Sequence, residues 1–293
     1  MNVQPEWFQR SLAQQPTDHS FDLDGTRIHY RHWQNSGKPG LLLVHGHAAH
    51  SRWWDFIAPS FAEEFDIAAI DLSGSGDSDH RDEYSARLFA REMIACIEAA
   101  SLQTATIIGH SFGGSMARVA AHLHHDAVAR TVIVDSAIPR HRGSRTPPPM
   151  PRSRTRYYPT VEEGIRRFRL RPPQPVTNRY IVDYIARHSL KETAEGWCFK
   201  YDPAVFAKMP ADDSLPAAGE MIASLAMPFG LIYGEESRFF PPEVVESLDD
   251  LIDRHHVIGV TGAYHHVFLD QPQAFVEALS AMLERLGASP SRQ

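Results

Sequence analysis

Short apolar runs alternate with longer amphipathic stretches over much of the chain. The runs GLLLVHG, IAAIDL, TATIIGH and ARTVIVDS consist mainly of apolar residues, and YSARLFAREMIACIEAA and FGGSMARVAAHLHH between them have apolar residues at helical spacing. A continuous apolar run is typical of a strand that is buried on both faces, as in a parallel sheet covered by its crossover helices. The alternation therefore predicts an α/β fold with right-handed strand-helix-strand crossovers.

The segment before this region has a different pattern. In SFDLDGTRIHYRHW, apolar and polar residues alternate on both sides of Asp24-Gly25. Alternation with a period of two predicts a strand with one buried face, and Asp-Gly is typical of a two-residue hairpin turn. We expect an antiparallel hairpin that is centred on these two residues.

The strand and helix alternation stops after Ile138 and resumes near Met227 with MPFGLIYGEE, followed by HHVIGV and QPQAFVEALSAMLERLG. The intervening part begins with PRHRGSRTPPPMPRSRTRYYP, which is too rich in Pro and Arg for a packed core. It continues with the amphipathic pieces VEEGIRRFRL, NRYIVDYIARHSL and PAVFAKM. The sequence therefore predicts a core domain formed by residues 1–137 and 226–293, with a mainly helical cap at residues 138–225.

Composition and charge narrow the possible functions. The chain has 293 residues, 43% of them hydrophobic, which is enough for a core that needs no disulfide or metal. Its net charge of -7 argues against nucleic-acid binding, which normally requires a basic excess. Cys96 and Cys198 have no metal-ligand spacing, so we expect free thiols. Because no secretory signal or long apolar run is evident, we expect a cytoplasmic protein that binds no membrane, and the oligomeric state is not indicated.

One serine gives the strongest chemical signal in the chain. The segment GHSFG, residues 109–113, matches the motif G-x-S-x-G directly after a predicted strand and directly before a predicted helix. The glycines on either side allow a tight, strained turn in which a Cβ atom would clash. Such a turn raises the Ser111 hydroxyl above the sheet and directs the positive end of the following helix toward it. The motif thus predicts a nucleophile at Ser111.

Three further segments extend this motif into a family resemblance: LLLVHGHAAH, DLSGSGDSD and the late GAYHHVFLDQP. Together they make the chain resemble the α/β-hydrolase superfamily, in its serine-nucleophile branch with a cap. The resemblance covers nearly everything except the cap. It implies an α/β-hydrolase fold, in which a mostly parallel eight-stranded sheet has helices on both faces and a mainly helical cap insertion. It also implies a Ser-His-acid triad and a substrate pocket under the cap.

The base of such a triad is expected near the C-terminus. A serine hydroxyl is a poor nucleophile at neutral pH, so a base must lie within hydrogen-bond distance of it. TGAYHHVFLDQP resembles the family's final loop, in which a histidine follows a Gly-containing turn after the last strand. The resemblance makes His265 the expected catalytic base and leaves His266 as the alternative.

The acid of the triad departs from the family pattern. Most relatives have it three residues beyond the glycine of the strand that reads FGLIYG here, but Ser237 occupies that position. Some branches take the acid from the end of the preceding core strand, which here is Asp135 in TVIVDS. We therefore expect Asp135 to be the acid, with Glu236 as the main alternative and its neighbour Glu235 also open.

The resemblance also indicates donors for the oxyanion that forms when the serine attacks. These are the backbone N–H of Phe112, directly after the nucleophile, and the N–H of His47, which follows a His-Gly pair. The side chains of His47, His50, Trp53 and Trp54 are candidates for the mouth of the pocket. For the tryptophan pair, packing against the core is the favoured interpretation.

Residues 140–171 are basic within an acidic chain, with Glu162 and Glu163 as the only acidic residues. Long-range attraction could bring a carboxylate, a phosphopantetheine carrier or another acidic partner to the pocket. A solvated loop whose charges keep the protein soluble is the favoured interpretation, and an anionic substrate stays the alternative. The basic residues are Arg140, Arg142, Arg145, Arg152, Arg154, Arg156, Arg166, Arg167, Arg169 and Arg171.

These observations predict a serine hydrolase that cleaves a small-molecule carboxylic ester through an acyl-enzyme intermediate, with no cofactor and no metal. Thioester hydrolysis, C–C bond hydrolysis of diketone-like substrates and cofactor-free perhydrolysis are alternatives on the same fold. Epoxide hydrolysis and dehalogenation are disfavoured, because relatives with those activities have aspartate in place of Ser111. A catalytically poor ligand-binding protein is an alternative of another class, and Ser237 at the usual acid position is its best support.

Overall fold

The structure is a computed structural model that describes residues 4–139 and 154–288. Within these two ranges, no helix is long and apolar enough to cross a lipid bilayer. The strands, in chain order, are β1 (Thr17–Leu23), β2 (Thr26–Trp33), β3 (Pro39–Val44), β4 (Asp66–Ile70), β5 (Gln103–His110), β6 (Arg130–Val134), β7 (Leu190–Thr193), β8 (Gly196–Phe199), β9 (Phe229–Gly234) and β10 (Val257–Val260). The α-helices are α1 (Glu6–Ala13), α2 (Ala86–Ala99), α3 (Phe112–Leu123), α4 (Val161–Arg167), α5 (Arg179–His188), α6 (Ala218–Ala223), α7 (Pro242–Glu246), α8 (Val267–Asp270) and α9 (Pro272–Arg285). Short 3-10 helices lie at Ser51–Trp54, Ala58–Ser60, Phe206–Lys208 and Arg254–His256.

Eight of the strands form one sheet in the order β1-β2-β4-β3-β5-β6-β9-β10. The pairs β1-β2 and β2-β4 are antiparallel, whereas every other neighbouring pair is parallel. In the predicted hairpin, Leu23 pairs with Thr26, and Asp24 and Gly25 between them both have positive φ. The predicted α/β-hydrolase fold with its mostly parallel eight-stranded sheet is therefore confirmed.

Both faces of the sheet are buried, which explains the continuous apolar runs. On β3, Leu41 and Leu43 pack into one core cluster, and Leu42 and Val44 pack into another on the opposite face. Helix α9 and the turn Ser51–Trp54 contribute to the first cluster, and α2 and α3 contribute to the second. Because successive side chains of a strand point to opposite faces, each position on such a strand must be apolar.

The residues between β6 and β9, which we call the insertion, are more mixed than the predicted helical cap. Helices α4 and α5 lie within two of the predicted amphipathic pieces, but PAVFAKM forms only a 3-10 turn. An antiparallel hairpin of β7 and β8 was not predicted, and Tyr158 forms a bridge with Trp197 beside it. Gly196 at this turn has φ 117°, a conformation that favours glycine. The division into core and cap at residues 138 and 225 stays a prediction.

The insertion is bonded to the loop that follows β3. The Tyr184 hydroxyl on α5 donates to the carboxylate of Asp55, and His50 Nε2 lies 2.9 Å from Ser189 Oγ at the end of the same helix. All four groups are buried or half-buried. These bonds hold α5 against the loop that follows β3.

Candidate active site

Ser111 occupies a sharp turn between a strand and a helix, as the motif predicted. It lies directly after β5 and directly before α3, with φ 53° and ψ -117°. A positive φ in a residue that has a Cβ atom is strained, and the surrounding structure must enforce it. Its N–H donates to the carbonyl of Val134 at 2.9 Å, at the end of the neighbouring β6. The side chain is half-buried and so is displayed at the carboxyl edge of the sheet.

Close backbone packing around this turn explains one of its glycines. A Cβ atom on Gly113 would lie 2.4 Å from the carbonyl oxygen of His45, so the first turn of α3 contacts the end of β3 directly. An added Cβ on Gly46 would lie 3.4 Å from the Ser111 Cβ. The loop after β3 therefore lies beside Ser111.

His265 and Asp135 are hydrogen-bonded to each other. Asp135 directly follows β6, the strand next to β5, and its Oδ1 lies 2.7 Å from His265 Nδ1. Both side chains are buried. Because an ionised carboxylate can only accept, Nδ1 carries the proton and Nε2 is the basic nitrogen. That Nε2 atom is buried and has no hydrogen-bond partner among the described residues.

Two further donors contact the Asp135 carboxylate. The Gly234 N–H donates to Oδ2 at 2.9 Å, and the Ser237 hydroxyl donates to Oδ1 at 2.7 Å. Asp135 also has a positive φ of 44°. Glu235 and Glu236 are both exposed. The geometry thus brings the expected acid to His265 and leaves the alternative carboxylates at the surface.

His110 and His266 lie beside His265, and neither is bonded to Asp135 among the described residues. His110 Nε2 donates to the carbonyl of His265 at 3.0 Å, so the residue before Ser111 contacts the histidine loop directly. Burial lowers the pKa of His110 far below its ordinary value. Burial, and then the neighbouring charge of His265, lower the pKa of His266 to about 3. Both rings are therefore neutral at neutral pH, and the Asp135 bond belongs to His265.

The insertion also contacts the loop of His265. Gln174 Nε2 donates to both carboxylate oxygens of Asp270 at 2.8 Å, and its Oε1 accepts from the His266 N–H at 3.0 Å. Asp270 also accepts from the Tyr264 N–H at 2.8 Å. Burial first, with the nearby Asp135 charge contributing, raises the pKa of Asp270 to about 6. Sequence reasoning missed Gln174, because its partners are remote in sequence, and Asp270, which lies in GAYHHVFLDQP, where the resemblance assigns a role to the histidines alone.

The two predicted oxyanion donors lie in the loop after β3 and at the start of α3. Phe112 is the first residue of α3, so its N–H has no acceptor within the helix. The His47 ring lies 6.4 Å from the Phe112 ring, centroid to centroid. Burial, and next the charge of Arg171, lower the pKa of His47 to about 4. The His47 side chain is therefore neutral.

The candidate residues for the pocket mouth divide into two groups. His47 and Trp53 line a small cavity of about 70 Å³. Trp54 is fully buried and stacks on Phe268 with ring centroids 4.6 Å apart, while His50 is buried against α5. The expected core packing therefore holds for Trp54, and Trp53 reaches both the core and a cavity.

A larger cavity of about 210 Å³ adjoins the small one. Sequence reasoning missed the aromatic residues Phe199 and Tyr201, which line both cavities. The signal was the alternation of aromatic residues in GWCFKY, which is typical of a strand. Of the predicted basic segment, Arg140, Arg142, Arg145 and Arg152 lie outside the described residues. The larger cavity is lined by Arg154, Thr155, Arg156, Tyr158, Arg167, Arg171, Phe199, Tyr201 and Pro203.

Two groups of described side chains bring potential metal-ligand atoms within 4.8 Å of one another. Other bonds already engage both groups. One imidazole of the first is bonded to Asp135, and one carboxylate of the second accepts from the backbone N–H groups of Ser51 and Asp77. We assign no metal to either. The groups are His110, His265 and His266, and His29, Asp71 and Asp77.

Comparisons with known proteins agree with this architecture. The family model described as alpha/beta hydrolase fold matches residues 39–272. A pimeloyl-(acyl-carrier protein) methyl ester esterase of Klebsiella pneumoniae is 26% identical over 268 residues, which are 87% of this chain and 98% of that protein. An uncharacterized hydrolase of Bacillus subtilis is 29% identical over 119 residues, 40% of this chain and 44% of that protein. A soluble epoxide hydrolase of Corynebacterium is 32% identical over 125 residues, 42% of this chain and 43% of that protein.

The chain thus spans less than half the length of the Bacillus and Corynebacterium proteins that it matches. Among solved structures, the thioesterase domain from the curacin biosynthetic pathway has a TM-score of 0.73 at 20% identity, covering 90% of this chain and 99% of that domain. An esterase of Mycobacterium tuberculosis has a TM-score of 0.69 at 19% identity, covering 95% of this chain and 97% of that protein. At these identities the likeness concerns the fold.

Proposed function

Because the chain belongs to the alpha/beta hydrolase fold family, we propose that it is a serine hydrolase in which Ser111, His265 and Asp135 cleave a small-molecule carboxylic ester. The observation that carries this proposal is the 2.7 Å bond between His265 Nδ1 and the buried Asp135 carboxylate. This bond lies at the end of the strand next to the one that presents Ser111.

The reaction follows from the protonation states of these groups. His265 Nε2 accepts the Ser111 proton while Oγ attacks the ester carbonyl, and Asp135 stabilises the imidazolium that forms. The imidazolium then protonates the departing alcohol, which leaves an acyl group on Ser111. Water attacks this acyl-enzyme with His265 again as the base, which releases the carboxylic acid and restores the serine.

The developing oxyanion needs donors that are already in position. In our proposal these are the N–H groups of Phe112 and His47, and the N-terminal end of α3 adds its dipole. Burial keeps His47, His110 and His266 neutral, so none of these three side chains brings a positive charge to the site. His265 is then the histidine that takes up charge during the reaction.

The choice of an ester over other substrates rests on two points. One relative that aligns along most of the chain is named as a methyl ester esterase. A partial relative is named as an epoxide hydrolase, but Ser111 stands where enzymes of that kind have aspartate. The ligand-binding alternative depended on a missing acid, and the Asp135 carboxylate beside His265 weakens that argument.

Labelling with a fluorophosphonate probe, combined with a substrate panel, tests the proposal. We expect the probe to modify Ser111, and Ser111→Ala to abolish both labelling and hydrolysis of short-chain methyl esters. The panel includes the matching thioesters and a diketone, so that a preference for either would correct the substrate class. A folded wild-type protein that resists the probe and cleaves none of these substrates would favour the ligand-binding alternative.

A further inference from the structure

The larger cavity described above, which we call the arginine cavity, has a strongly positive lining. Arg154 and Arg156 precede α4, Arg167 ends it, and Arg171 follows closely. None of the described residues that line the cavity has a carboxylate, and the rest of the lining is aromatic or neutral. In a chain with a net charge of -7, this is a local reversal of sign.

The part of the chain outside the described residues cannot neutralise this lining with its own side chains. The segment from 140 to 153 contains four arginines and no Asp or Glu. Within the described chain, Asp202 lies between the lining residues Tyr201 and Pro203, and its carboxylate already accepts from Tyr84 and Lys208 at 2.9 and 2.8 Å. The positive charge of the cavity is therefore available to a ligand.

The arginine cavity adjoins the smaller cavity, which His47, a proposed oxyanion donor, also lines. Arg167 and Arg171 line both this cavity and the smaller one, which is also lined by His47. His47 belongs to the loop that lies beside Ser111. Consistent with this proximity, the charge of Arg171 contributes to the lowered pKa of His47.

A group of guanidinium ions with aromatic walls suits a particular kind of ligand. Guanidinium groups bind carboxylate and phosphate oxygens through paired N–H bonds, more strongly than they bind neutral groups. The aromatic rings of Phe199 and Tyr201 can pack against the carbon chain that joins such an anion to the reacting ester. A single exposed arginine would contribute little because water competes, but several around one cavity act together.

We propose that the arginine cavity binds an anionic group, a carboxylate or a phosphate, on the ester that Ser111 attacks, so that the preferred substrates are acidic esters. This inference rests on the proposed function. It assigns Arg167 and Arg171, which line both cavities, to substrate specificity and leaves the chemical step to the triad.

A matched set of substrates tests the inference through methanol release. Monomethyl glutarate has a carboxylate at the end of its acyl chain, methyl butanoate is neutral, and the methyl ester of a phosphorylated hydroxybutanoate has a phosphate. We expect the wild-type kcat/KM to be at least about tenfold higher for one of the acidic esters than for methyl butanoate, because a charge-assisted hydrogen bond contributes that much or more. The acid that gives the larger ratio identifies the anion.

Variants separate the arginine cavity from general charge effects. The double variant Arg167→Gln/Arg171→Gln should lose this preference, mainly through a higher KM for the acidic esters. Arg166→Gln is the control, because Arg166 is exposed on the same helix and lines neither cavity. Equal kcat/KM for acidic and neutral esters in the wild type, or equal losses in the double variant and the control, would overturn the inference.

A binding measurement distinguishes failure of this inference from failure of the proposed function. If methyl butanoate is cleaved and Ser111 is labelled while no acidic ester is preferred, only the anion inference is wrong. If neither ester is cleaved and Ser111 resists the probe, calorimetry with glutarate monoamide and inorganic phosphate decides. Saturable binding that Arg167→Gln/Arg171→Gln removes and Arg166→Gln retains would support the anion site, and no binding would refute it.

Discussion

Ser237 shows how one residue can depart from a family pattern without removing the interaction that the pattern provides. A serine cannot stabilise an imidazolium by charge, yet its hydroxyl donates to Asp135 Oδ1 at 2.7 Å, the same oxygen that lies 2.7 Å from His265 Nδ1. Ser237 also accepts from the Phe239 N–H at 3.2 Å. The position where the resemblance places the acid thus contacts the imidazole indirectly, through the carboxylate that follows the neighbouring strand β6.

Asp135→Asn should lower kcat by about ten-thousandfold, since an amide beside Nδ1 favours the wrong tautomer of a catalytic histidine. Steady-state hydrolysis of a methyl ester measures this effect. Glu236→Gln is the matched control, because this carboxylate is exposed and should leave kcat unchanged. If the control loses activity and Asp135→Asn retains it, the acid is Glu236.

Ser237→Ala should have a smaller effect on the same pair. It removes one of the three donors that contact the Asp135 carboxylate among the described residues. We expect kcat to fall about tenfold with KM nearly unchanged, since a hydrogen bond to a charged group contributes about 1.5 to 3 kcal/mol. Ser247→Ala, at the end of α7, is the control. An unchanged kcat in Ser237→Ala would mean that this hydroxyl does not position the acid.

At the scale of elements, the hydrophobic pattern and the turn residues predicted the core strands and the first hairpin, because both depend on the local sequence. The core strands are apolar because both faces of the sheet are covered, and the Asp24-Gly25 turn has the positive φ values that its dipeptide favours. The hairpin of β7 and β8 was missed because its two short strands lie among amphipathic helical pieces, and the aromatic alternation in GWCFKY covers one of them alone. Its pairing depends on contacts with the rest of the insertion.

The same division applies to the candidate site. Ser111 and His265 lie in loops whose sequence is itself the signal, so both could be predicted. Gln174 contacts Asp270 across 96 residues of chain, and no short pattern encodes that contact. The resemblance favoured Asp135 over Glu236 as the acid, and the 2.7 Å distance between Asp135 Oδ1 and His265 Nδ1 supports that proposal.

Gly113 offers a test of how tightly the elements meet at Ser111. A Cβ atom there would lie 2.4 Å from the backbone oxygen of His45, directly after β3. A backbone atom at this place cannot move aside as the end of a side chain would. We expect Gly113→Ala to lower the free energy of unfolding in urea by about 3 kcal/mol. In the control, Gly259→Ala, the nearest atoms are the ends of the Glu235 and Tyr233 side chains at 3.0 Å. The change there should stay within about 1 kcal/mol, and equal losses in both would contradict the packing argument.

At the scale of the whole molecule, the insertion contributes to two different parts of the site. Its residues Arg167 and Arg171 line the cavities next to the loop after β3. Gln174 and Asn178, a few residues on, donate to side-chain and backbone oxygens of Asp270 at the end of α8, the helix that directly follows the loop of His265. One short segment therefore connects the proposed specificity determinants with the position of the proposed base.

Asp270 makes this connection sensitive to pH. Burial raises its pKa from 3.8 to about 6 in the folded protein, so between these values the folded state binds more protons than the unfolded state, and stability falls as pH rises. The variant Asp270→Asn tests this, because it has no carboxyl group to titrate at this position.

The free energy of unfolding of Asp270→Asn, minus that of wild type, should increase by about 2 kcal/mol between about pH 4 and pH 7. Altered hydrogen bonds in the variant add the same amount at every pH. Urea denaturation at a series of pH values measures the difference, and Gln273→Ala, an exposed position on α9 without a titrating group, should differ from wild type by the same amount at every pH. A difference for Asp270→Asn that is constant across this range, or that decreases as pH rises, would show that the folded protein does not favour the protonated carboxyl.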